Sequence, residues 1–155
     1  MGGRRVIAAA AAGLALCAAG AAWAAIDAAA VVQAREAHFK EIGRNSKAAR
    51  DELKKPAPDL AVVRAAAHRI AELAPQLPTW FLAGSGPQAG LKTEAKAEIW
   101  EKPEDFRAKA QDLAVRAKAF DEAAAKGDLA AINQAQAQLG QACKACHEEF
   151  RHEDH

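Results

Sequence analysis

Four stretches of this chain place apolar or small residues at alternating spacings of three and four, and proline or glycine separates the stretches. The first stripe is Val32, Arg35, Phe39, Ile42, Ser46, Ala49 and Leu53. The second is Val63, Ala66 or Ala67, Ile70 and Leu73; the third is Phe106, Ala110, Leu113, Ala117, Phe120 and Ala124. The fourth is Leu129, Ile132, Gln136, Leu139, Cys143, Cys146 and Phe150. This rhythm keeps one face of a 3.6-residue helix turned inward.

The punctuation fixes the ends. Asp27 is placed to cap a first helix over about 28–54, which Pro56 and Pro58 break. Asp59 caps a second helix, and Pro75 and Pro78 stop it near residue 74. A long crossing loop over about 76–102 follows, and its Trp80, Phe81, Leu82, Ile99 and Trp100 predict that it packs on the body. Pro103 suits the first turn of a third helix, Gly127 its end, and Asp128 the cap of the last. Two short links and one crossing segment predict an all-α, antiparallel four-helix bundle.

Composition agrees. Of 155 residues 51% are hydrophobic, yet only 5% are aromatic and there is no tyrosine, so alanine carries the apolar count. That favours helix and argues against a β-sandwich or barrel. With 21 basic and 20 acidic residues, the chain has no basic field for nucleic acid. An alanine-based core is thin, however, because alanine buries little area.

Residues 1–24 read as a secretory signal peptide. Arg4 and Arg5 precede an apolar run that ends in Ala22-Trp23-Ala24, a small-residue cleavage pattern. The reading predicts export to the periplasm, a domain over 25–155, and contact with a membrane only through an uncleaved leader. Residues 25–155 hold two cysteines and no methionine.

Those two cysteines stand in Cys143-Lys144-Ala145-Cys146-His147. Cys-x-x-Cys-His is the attachment signature of c-type haem. Thiols three residues apart share a helix face and can each bond one haem vinyl group. His147, next along, can offer an imidazole nitrogen to the iron. A redox disulfide is the first rival, but such motifs sit in βαβ folds, and none is visible. Zinc is the second, but one helix and its tail make a poor tetrahedral cage. One covalent haem c also supplies the bulk that the alanines lack.

Arg35 occupies an apolar-stripe position. Its guanidinium suits a haem propionate; the alternative is a stem lying along the bundle edge. Arg151, four residues after His147, can pair with a propionate, cover the axial histidine or remain a solvated last-turn cation. The sixth iron position decides the function. His68, His152 and His155 read as surface residues. Phe39 lies nearer the centre of the first stripe than His38, which predicts the Phe39 ring over the iron and His38 at the rim. The iron is then five-coordinate in an apolar pocket, suited to NO and CO rather than O₂. The alternative is a six-coordinate electron carrier with His38 or another distal ligand. No nucleophile–base pair points to an enzyme.

Taken together, the C-terminal Cys143-to-His147 motif with Phe150-Arg151, the run Ala97-Glu98-Ile99-Trp100 before Pro103-Glu104-Asp105-Phe106, and Arg35 followed by Phe39 resemble cytochrome c′, the class II c-type cytochromes. Ala97 departs from the proline frequent in the family. The resemblance implies a left-handed bundle, often a homodimer through the first two helices. It implies His147 as proximal ligand, Phe39 as distal steric residue and Arg35 near a propionate, with Glu94 close to the haem edge. It further implies NO and CO binding, and for some members single-electron transfer with a redox partner protein.

Overall fold

A computed structural model describes residues 27–152; the leader expected over residues 1–24 lies outside them. Helix α1 spans Ala28–Leu53, α2 Leu60–Leu73, α3 Pro103–Lys126 and α4 Leu129–Phe150. Among the described residues no helix is long and apolar enough to cross a membrane.

The expected caps form. The side chains of Asp27, Asp59 and Asp128 accept from the backbone N–H of Ala30, Ala61 and Ala130 at 3.0, 2.8 and 2.9 Å. Each satisfies a donor that the first helical turn leaves unpaired. The α1–α2 link carries a buried charge that the stripes do not predict. Glu52 accepts from the Asp59 N–H at 2.8 Å and from Lys55 Nζ at 2.6 Å. These bonds hold its carboxyl below the usual carboxylate range. Gly127 turns the chain between α3 and α4 at φ 82°, where a side chain is strained. A Cβ there would also lie 3.3 Å from the Arg64 guanidinium. Gly127→Ala is expected to cost about 1 kcal/mol, read as a lower urea midpoint with an unchanged visible spectrum.

Helices α1 and α2, α2 and α3, and α3 and α4 pack directly, whereas α1 and α4 barely touch. Every predicted stripe residue of α2 and α3 is buried. Along α1, Val32, Arg35, Ile42 and Ala49 are buried, while Phe39, Ser46 and Leu53 are half-buried. Phe39 and Ser46 owe that exposure to the space between α1 and α4.

Three details differ from expectation. Helix α2 ends at Leu73, as Pro75 and Pro78 predict, but the chain goes on turning as a 3₁₀ helix over Ala74–Trp80. Pro75 sits in its first turn, where its missing N–H costs nothing. The crossing segment is therefore not one irregular loop, and it holds further turns at Pro87–Ala89 and Glu98–Glu101. Trp80 and Ile99 pack inward as expected, with Phe81 and Trp100 half-buried, but Leu82 is exposed. Leu129 is also exposed, because the first residue of α4 projects past the end of the core.

Candidate functional site

The gap between α1 and α4 is a cavity of about 500 Å³, within the roughly 300–1,000 Å³ range of cofactor pockets. Helix α1 supplies one wall with Arg35, Phe39, Ile42, Gly43, Ser46 and Arg50. The C-terminal turn of α4 supplies another with Cys143, Cys146, His147 and Phe150. The crossing segment adds Thr93, Glu94 and Ala95, and Leu113 of α3 and Leu77 complete the interior. All seven predicted site residues (Arg35, Phe39, Glu94, Cys143, Cys146, His147 and Arg151) border this one space. His38 does not: its ring stacks on Trp80, centroids 4.6 Å apart and planes 21° apart. His68 is a surface residue, 3.4 Å from Asp121.

The two cysteines are free thiols. Burial pushes both up, Cys146 to about 11 with help from the neighbouring Cys143. A redox dithiol is favoured by the opposite shift, toward thiolate. Among the described residues no group of three or more His, Cys, Asp or Glu side chains is placed to hold a metal ion. Burial, and then the Arg151 charge, lower the His147 pKa and favour the neutral imidazole that a metal requires.

Arg35 anchors the crossing segment to α1. It is 3% exposed, and its Nη1 donates to Ser85 O at 2.9 Å and Ser85 Oγ at 3.1 Å. Its Nη2 donates to Thr93 Oγ1 at 2.6 Å. The guanidinium carbon lies 4.9 Å from the Phe81 ring centre and 5.7 Å from that of Trp100. The bundle-edge alternative, a stem along the surface with a hydrated head, is thus set aside. Burial lowers its pKa, and the nearby Glu36 carboxylate partly opposes that shift.

A chain of edge-to-face rings joins the two walls. Phe39 meets Phe81 at 6.1 Å, Phe81 meets Phe106 at 4.8 Å, and Phe106 meets Phe150 at 5.3 Å. Trp80 adds a second edge contact to Phe39 at 5.5 Å. Arg151 Nε donates to Glu94 Oε2 at 2.6 Å in a solvent-exposed pair at the rim of the cavity. Backbone bonds Lys96 N–H to Phe150 O (3.0 Å) and His152 N–H to Glu94 O (2.7 Å) tie the crossing segment to the end of α4. Sequence reasoning missed this bridge, the Ser85–Thr93 anchor, and Gly43 and Arg50 in the cavity wall. Arg35 on the first stripe was the signal that α1 faces something other than core.

These residues fit a haem c. Two thiols one helical turn apart border one slot with an imidazole beside them, and the slot is mostly apolar. An ideal Cβ on Gly43 would meet no protein atom within 4 Å, so the α1 backbone leaves room on that wall. The sequence profile of the family described as Cytochrome C' matches residues 30–151. The chain belongs to the cytochrome c′ family. It is 41% identical over 123 residues to a cytochrome c′ of Pararhodospirillum photometricum, covering 79% of this chain and 96% of that one. Among solved structures, a cytochrome c′ described as having an unusual ligand-controlled dimer dissociation superposes with a TM-score of 0.77 at 28% identity, covering 84% and 100% of the two chains. A nitric oxide complex of a cytochrome c prime variant from Alcaligenes xylosoxidans gives a TM-score of 0.71 at 25% identity, covering 79% and 94%. As a cytochrome c′, the chain is an antiparallel four-helix bundle carrying a single covalent haem c.

Proposed function

We propose that this chain is a periplasmic cytochrome c′, exported by the leader over residues 1–24 and folded over 25–155, whose iron has one protein ligand and binds NO or CO at the open side. Haem c supplies an iron that cycles between two oxidation states and takes small ligands. Cys143 and Cys146 would hold it covalently, and His147 would offer an imidazole nitrogen to its iron. The observation that carries the reading is the α1 wall: of the described histidines only His147 borders the cavity, and α1 lines it with Phe39, Ile42, Gly43 and Ser46 together with the charged residues Arg35, Glu36, Lys40 and Arg50. Phe39 is held in place by Trp80 and Phe81.

Arg35 spends Nη1 and one Nη2 hydrogen on Ser85 and Thr93, which leaves Nε–H and the second Nη2 hydrogen for a propionate. Glu94 and Arg151, paired with each other, close the edge beside His147. Single-electron exchange with a redox partner protein is compatible with the same site, and so is a homodimer through α1 and α2. The solved nitric oxide complex and the ligand-controlled dimer of relatives support the gas and dimer parts of this reading. Six-coordination by His38 would require its ring to leave the Trp80 stack.

Stopped-flow CO binding to the reduced protein tests the assignment of Phe39. Phe39→Ala is expected to tighten CO by about tenfold or more, equivalent to about 1.4 kcal/mol, by removing the ring from the open side. His38→Ala is expected to leave binding within about twofold. A His38→Ala variant that gains CO binding absent from the parent would reverse the assignment.

A further inference from the structure

The chain is nearly neutral, at +1, but its charge is unevenly placed. Lys40, Lys47 and Lys54 recur at seven-residue steps and are exposed, so they form one line along α1 and its C-terminal cap. Lys40 and Arg50 also border the cavity. The carboxylates of α1 offset these cations only in part. Glu41 is spent on Arg69 of α2 at 2.7 Å, and Glu52 is buried against Lys55 and the Asp59 N–H. Glu36 lies 3.9 Å from Lys40, and the single Asp51 is shared by Lys47 and Lys54. The facing wall adds no negative charge: from Leu129 to His147, α4 holds no carboxylate and one exposed lysine, Lys144. The acids gather elsewhere. Glu98, Glu101, Glu104 and Asp105 surround Lys102 just before and at the start of α3.

We propose that the cationic α1 flank of the cavity docks a redox partner protein that presents carboxylates around its own redox centre. The proposal rests on the single-electron reading above. A carboxylate-bearing surface is drawn to the side of the molecule where the haem slot lies, so charge steers the partner toward the group it must reach. One electron then passes from the partner's reduced centre to the ferric iron, which becomes ferrous; no bond forms and no proton moves. An anionic lipid surface is the rival occupant. It is disfavoured because the exposed large apolar residues among the described residues, Val62, Leu82, Val115 and Leu129, all lie off α1. The flank therefore has no large apolar side chain to enter a bilayer.

The test mixes the haem-loaded ferric protein, without oxygen, with an acidic flavodoxin in its hydroquinone form. The probe loses one electron to become a semiquinone, and stopped-flow absorbance follows reduction of the haem. From about 0.01 to 1 M salt the Debye length falls from about 30 to 3 Å, and the parent rate is expected to fall about tenfold or more. Lys47→Glu with Lys54→Glu should slow the reaction about fivefold or more at low salt and match the parent at high salt. Lys118→Glu with Lys126→Glu makes the same change of charge on α3, away from the cavity wall, and should stay within about twofold of the parent. Neither pair borders the cavity, so CO binding should be unchanged in both. If the α1 reversal impairs folding, Lys47→Gln with Lys54→Gln should show a smaller slowing that salt again abolishes. Equal slowing by the α1 and α3 pairs would overturn the proposal while leaving electron exchange intact. Parent binding to phosphatidylglycerol vesicles that is lost in Lys47→Glu with Lys54→Glu, at an unchanged rate with the probe, would assign the flank to a membrane and overturn it as well. A parent that takes no electron from the probe at any salt would refute the electron-exchange reading itself, and the proposal with it.

Discussion

Replacing both Cys143 and Cys146 with serine is expected to yield, when the chain is purified free of haem, a helical but loosely packed protein without a cooperative melt. The reason is the division of contacts in the bundle. Helices α1 to α2, α2 to α3 and α3 to α4 pack on one another, but α1 and α4 face each other across about 500 Å³. At ~24 cal/mol per Å³, a dry cavity of that size would cost on the order of 10 kcal/mol. That is an upper bound, because the cavity is open to water, yet it rivals the whole stability of a small domain, about 5–15 kcal/mol. Collapse or splaying of α1 is therefore favoured over retention of the slot. Far-UV circular dichroism should stay strongly helical while near-UV signals fade and hydrophobic dye binds. A haem-free double variant that melts cooperatively within a few degrees of the parent would contradict this.

The second large effect is expected at Arg35. Arg35→Ala removes hydrogen bonds to Ser85 O, Ser85 Oγ and Thr93 Oγ1 and two contacts with aromatic faces, all inside a buried site. Hydrogen bonds to charged groups contribute roughly 1.5–3 kcal/mol each, and the ring contacts about 0.5–2 kcal/mol. These terms overlap, and the burial that lowers the Arg35 pKa opposes them. A net loss of about 3 kcal/mol is expected. Arg35→Lys should recover little, because an ammonium cannot reproduce the planar fork that bridges Ser85 and Thr93. Urea unfolding followed by tryptophan fluorescence reads the change directly, since Trp80 and Trp100 lie in the anchored segment. A loss below about 1 kcal/mol would mean that the anchor is secondary to the packing of the rings.

The fold was largely legible in the sequence because its determinants are local. Asp27, Asp59, Gly127 and Asp128 mark helix ends through bonds made within a few residues. The stripes of α2 and α3 could be read because every member faces core. What was not legible depends on chain segments far apart. Glu94 meets Arg151, and Arg35 meets Ser85 and Thr93, across 50 residues or more. Neither pairing leaves a periodic trace. Leu129 was misplaced because a stripe assigns a face but not how far along the helix the core extends, and Leu82, in the crossing segment, has no periodicity to place it. The candidate site was legible for a different reason. Cys143, Cys146 and His147 carry a spacing set by the cofactor itself, and Arg35 stood out as a charged member of an otherwise apolar stripe.

The central claim is that the iron has His147 on one side and no protein ligand on the other. The most direct measurement is the visible spectrum of the reduced protein before and after CO. A high-spin reduced spectrum that shifts on CO addition, and is unchanged by His38→Ala, is the predicted result. A low-spin reduced spectrum that CO does not move would contradict the account.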